Sequence, residues 1–94
     1  MLFRSSFGAQ VVLLGGAPVL YVERGGRSML TMRHADPEWV GPALAALAEW
    51  VLADRSRRIA IARVDGRSVF RSPLESPLLE AGFRPGLKDL VLRA

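Results

Sequence analysis

Twelve of the thirteen basic side chains in this sequence are arginines, and Lys88 is the one lysine. A guanidinium offers a planar fork of donors that matches phosphate oxygens and the guanine edge, so this inventory suits contact with nucleic acid. Two groups stand out. Arg24 and Arg27 flank Gly25-Gly26, with Arg33 a little beyond, while Arg55, Arg57 and Arg58 lie close together in the second half. Loop-borne arginines of this kind commonly contact phosphate or enter a groove according to its width. The same residues also suit a solvated rim, and the Arg, Ala, Gly and Pro bias fits GC-rich coding equally well. The candidate nucleic-acid-binding residues are Arg24, Arg27, Arg33, Arg57 and Arg58.

Other chemistry finds less support. Without cysteine there is no disulfide, thiol nucleophile or thiolate metal site. A metal centre needs converging ligands, and His34 is the one histidine, near an Asp36 better used as a helix cap. No Gly-rich turn ends in Lys-Ser or Lys-Thr before a helix, so the chain has no phosphate loop for ATP. No serine sits in a nucleophile-elbow pattern. A base-excision reaction needs a carboxylate beside a pocket for a flipped base. Glu23 and Asp65 can be nominated, but each sits at a hairpin end where acids are common, and Glu75 and Glu80 suit capping and solvation. The expectation is no catalytic residue, no metal and no cofactor.

Trp39 and Trp50 are eleven residues apart and so share one face of a helix. Core packing is the default for both, and an exposed tryptophan there would mark a docking surface. The occupant would be a neighbouring domain or a second copy of the chain.

The elements that must position these groups form one domain over residues 1–94. Half the residues are hydrophobic and 23% are charged, which places the chain among folded globular proteins. The net charge is +4. No apolar run reaches the length of about 18 residues of a membrane span, and the first residues lack the basic-then-apolar order of a secretory signal. A soluble, cytoplasmic protein is expected, with no membrane partner.

Residues 1–8 show no clear periodicity and are assigned no regular element. Ala9 to Leu14, Val19 to Glu23 and Ser28 to Met32 read as three strands of an antiparallel meander. Gly15-Gly16-Ala17-Pro18 separates the first two, and Gly25-Gly26 supplies the positive φ angles of a two-residue turn between the others. Asp36-Pro37 opens a helix over residues 37–54, where Val40, Leu44, Leu47 and Val51 form one apolar stripe. Gly41 and Pro42 weaken its first turns, so its regular part is expected to begin a few residues late. Arg58 to Val64 is a further strand, and Asp65-Gly66 turns it into Arg67 to Phe70. A short helix from about Pro77 to Ala81 ends at Gly82, and Lys88 to Arg93 is the last strand. The fold class is α+β: a mostly antiparallel sheet, with meander, hairpin and final strand, packed with one long and one short helix.

The run from Gly8 to Thr31, above all Leu20-Tyr21-Val22-Glu23-Arg24-Gly25-Gly26-Arg27-Ser28, resembles the last segment of large helicase-related (Lhr) proteins. Val64 to Val69 and Leu78 to Pro85 are similar to that segment too, in the expected order. The resemblance implies a long bacterial parent with two RecA-type motor domains that move along single-stranded DNA using ATP. A winged-helix array would precede the terminal module, and the setting would be DNA repair. Some members' C-terminal regions resemble DNA glycosylases, but no catalytic carboxylate of that kind matches a position in this chain. The expectation is a non-catalytic accessory module that contacts DNA backbone or buttresses neighbouring domains of the parent. The alternatives are an oligomerisation or docking module without DNA contact and a glycosylase-like repair enzyme.

Overall fold

The computed structural model of the chain describes residues 2–6, 9–23 and 25–93. Its first four strands are β1 (Leu2–Ser6), β2 (Ala9–Leu14), β3 (Ala17–Val22) and β4 (Ser28–Thr31), followed by the long helix α1 (Pro37–Leu52). Next come β5 (Arg58–Ile61), β6 (Arg63–Val64), β7 (Arg67–Ser68), the short helix α2 (Glu75–Glu80), β8 (Arg84–Pro85) and β9 (Leu90–Arg93). The class is α+β, as the patterning indicates. The strands make two sheets, in the orders β1-β2-β3-β4-β6-β7 and β5-β9-β8.

The meander forms because its turns have suitable residues. Leu14 pairs with Ala17 across Gly15 and Gly16, whose φ angles of 60° and 84° match the left-handed pair of a type I′ hairpin. Asp65 and Gly66, at 53° and 81°, do the same between Val64 and Arg67. The Gly25-Gly26 expectation needs correction. Gly25 and Gly26 take the expected positive φ, at 92° and 70°, but Val22 pairs with Met29 and the Glu23 N–H donates to the Ser28 carbonyl at 2.9 Å, so the strands close outside a two-residue turn.

Three further differences matter. Leu2–Ser6 is a strand that pairs antiparallel with β2, although no element was expected there. Its ladder hydrogen bonds come from a distant partner, which a local pattern does not announce. The expected single strand over 58–64 divides at Ala62: β5 joins β9, while β6 runs parallel to β4. The Ala62 and Arg63 N–H groups both donate to the Arg27 carbonyl, at 2.8 and 3.1 Å, which fastens the changeover. Arg84–Pro85 adds a short edge strand to β9.

Helix α1 begins at Pro37, without the expected late start. Asp36 Oδ1 accepts from the Glu38 N–H at 2.8 Å, so the cap sets the first turn despite Gly41 and Pro42. Pro42 stands inside the helix and removes the hydrogen bond to the Glu38 carbonyl, so the cap and the buried stripe hold the helix through it. The helix lies against β2, β3, β9 and α2. It buries Val40, Leu44, Leu47 and Val51 against Val12, Leu20, Ile61 and Leu90 in one core. Gly82 ends α2 at φ 109°, where glycine alone is comfortable.

Candidate nucleic-acid interface

The α1–β5 connection is built around two polar side chains. Past Leu52, Asp54 Oδ1 accepts from the Ser56 N–H at 2.9 Å and from its hydroxyl at 2.8 Å. The backbone donor first, then the hydroxyl and the nearby Arg57, hold the Asp54 carboxyl below the usual Asp range. Arg57 then folds back on the helix. Its guanidinium carbon lies 4.2 Å from the centre of the Trp50 ring, and Nη1 donates to the Trp50 carbonyl at 2.7 Å. Nε stands 3.8 Å from Asp54 Oδ2. The last turn of α1 contains no basic residue, so Arg57 brings a positive charge to the helix C-terminus from outside it. Its fork is therefore used within the fold.

Gly26 lies over the start of β5. A Cβ on Gly26 would lie 3.7 Å from the Ile59 side chain, so the glycine rests on that strand. This sets Gly25 and Gly26, from between the first two arginines, beside Arg57 and Arg58 of the second group. Between them lies a cleft of about 260 Å³, whose lining includes Gln10, Glu23, Gly26, Trp50, Arg57 and Arg58. Arg27 is exposed and lines a neighbouring open depression with Arg63 and Lys88. Arg24 lies outside the described residues. Arg33 is exposed between β4 and α1 and lines neither feature.

The tryptophans differ. Trp39 is 2% exposed, and its indole N–H donates to the His34 carbonyl at 2.8 Å. That leaves it no surface to offer a partner, and it fills the core role. Trp50 is half-buried beneath Arg57. Asp65, one of the two nominated acids, is also taken up: its oxygens accept from the Thr31 N–H and hydroxyl, each at 2.7 Å. This joins the β6–β7 hairpin to β4.

Arg84 and Arg93 were not singled out from the sequence. Arg58 pairs with Arg93 across β5 and β9, and Arg84 pairs with Val91 across β8 and β9. Alternation sends Ile59, Ile61, Leu90 and Leu92 into the core, and Arg58, Arg84 and Arg93 are exposed. The three arginines line one shallow depression with Val91 and Pro85, and among the described residues no acidic side chain lines it. The arginines are scattered in sequence, so only the register of the second sheet brings them together. Among the described residues, no group of three or more His, Cys, Asp or Glu side chains could hold a metal ion. Among them, too, no helix is long and apolar enough to cross a membrane.

No family model and no solved structure matches the chain. A curated protein of Mycolicibacterium smegmatis, named Lhr helicase/probable uracil glycosylase, is 34% identical over 93 residues. The match covers 92% of this chain and 6% of that protein. The chain is thus similar to a small segment of an Lhr helicase, and that likeness extends no further than a fragment of it.

Proposed function

We propose that this domain is a non-catalytic accessory module of an Lhr-type, ATP-dependent DNA helicase, serving in DNA repair. It contacts DNA through phosphate and braces neighbouring domains of the parent chain. The observation that carries this reading is the set of exposed arginines and Lys88 around the two sheets. Among the described residues the one ion pair is Arg57–Asp54, so the outward guanidinium groups are open to another anion. The likeness to a segment of a helicase supplies the kind of anion. Arg27 and Arg58 are retained as contacts, with Arg24 and Arg33 as flanking ones, whereas Arg57 supports the loop that carries Arg58.

The relative's name also includes probable uracil glycosylase. We assign no such reaction to this chain, since Asp65, one of the two acids that could serve it, is occupied by Thr31. The test is fluorescence anisotropy of labelled DNA titrated with the chain at several salt concentrations. Binding that weakens as salt rises, without release of uracil from uracil-containing DNA, supports the module. Absence of binding at low salt, with self-association in sedimentation, supports docking without DNA contact.

A further inference from the structure

We infer that the outward face of the β5-β9-β8 sheet is a phosphate-binding surface that favours the backbone of duplex DNA over a single strand. Its arginines are Arg58, Arg84 and Arg93. This rests on the DNA-contact reading above and adds the surface and the form of DNA.

Arg58 and Arg93 are direct cross-strand partners. Their Cα atoms are therefore about 5 Å apart, a spacing at which like charges destabilise a sheet. Arg84 lies opposite Val91, two residues along β9 from Arg93, which places it about 7 Å farther along the same face. Three positive charges share this face, and among the described residues no acidic side chain lines it. A polyanion with charges repeated along its length relieves this repulsion at all three positions.

Val91 and Pro85 line the depression with the arginines, and among the described residues its lining has no aromatic ring. Proteins that hold single strands combine a basic track with aromatic rings on which bases stack. This face has the basic part alone. It can neutralise phosphate but gains nothing from unstacked bases, so the regular backbone of a duplex, with its higher charge density, is the better ligand.

The experiment compares the intact chain with Arg84→Ala/Arg93→Ala on a labelled duplex and on a single strand of the same sequence, across a salt series. Arg67→Ala/Arg71→Asn is the control, removing the same charge from the β7 side of the molecule. Loss of two phosphate contacts should flatten the logarithmic salt dependence on duplex by about 1.8. That equals about a twelve-fold smaller loss of affinity between about 50 and 200 mM salt. The control should keep the original slope, and the intact chain should bind duplex more tightly than single strand. If the alanine pair does not melt cooperatively, Arg84→Gln/Arg93→Gln keeps the stems beside Val91 and carries the same test. Equal slopes for the two double variants would overturn this surface while leaving DNA contact standing. Tighter binding to single strand would overturn the duplex preference. An intact chain that binds neither DNA would remove the underlying reading and this inference with it.

Discussion

Arg57 and Arg58 are adjacent, identical in chemistry and equally plausible as DNA contacts from sequence, yet the structure folds Arg57 back on Trp50 and leaves Arg58 exposed. Consider Arg57→Ala. It removes the guanidinium 4.2 Å above Trp50 and the donor 2.7 Å from the Trp50 carbonyl. The ring contact is worth about 0.5–1 kcal/mol at a partly exposed site. A charged donor to a carbonyl contributes about 1.5 kcal/mol at the low end of its range, which suits a side chain 32% exposed. The Asp54 contact at 3.8 Å is too long and too exposed to add to this. The loss is about 2 kcal/mol, which in a domain of this size lowers Tm by about 10 °C. Differential scanning calorimetry reads that change, and the salt dependence of DNA binding should stay as it was. Arg58→Ala should do the reverse. Its Tm should move little, as for other exposed sites, while its salt slope on duplex falls by about 0.9. An Arg57→Ala protein with unchanged Tm and a flattened salt slope would refute the assignment.

The other predictions concern the scaffold. Asp65→Ala places a Cβ-bearing residue without local hydrogen bonds at φ 53° and removes both acceptors of Thr31, so urea denaturation should show a loss of about 2 kcal/mol. Asp65→Asn, which tolerates that backbone, should lose less. Leu47→Ala empties a fully buried site under the sheet and should cost about 2–5 kcal/mol by the same measurement. The Asp54 carboxyl titrates below its unfolded value of about 3.9 because the folded state favours its charged form. Its small stabilising contribution is therefore full above that value and disappears as pH falls through the lower, folded one. The Tm advantage of the wild type over Asp54→Asn should accordingly shrink on acidification below about pH 4.

Much of the scaffold was legible because it rests on local chemistry. Asp36-Pro37 marked the start of α1, the Val40-Leu44-Leu47-Val51 stripe marked its buried face, and Asp65-Gly66 marked a hairpin. What the sequence did not disclose depends on partners far away in the chain. The strand at Leu2–Ser6 exists through its pairing with β2, and the strand change at Ala62 exists through the Arg27 carbonyl. The candidate interface divides in the same way. An arginine-rich surface was evident, but Arg57 reads like Arg58 until the Trp50 ring is seen beneath it. Arg84 and Arg93 gain meaning only from the register that sets them beside Arg58. Trp39 and Trp50 share a helix, yet only the fold of the 34–39 segment over the core explains why Trp39 is sealed.

The most direct measurement is a nitrogen–proton correlation NMR titration of the labelled chain with a short DNA duplex. Shift changes should centre on Arg58, Arg84 and residues 91–93 and extend toward Arg27 and Lys88. Changes centred instead on the opposite side, along residues 35–41 and 73–80, or none at low salt, would contradict this interface.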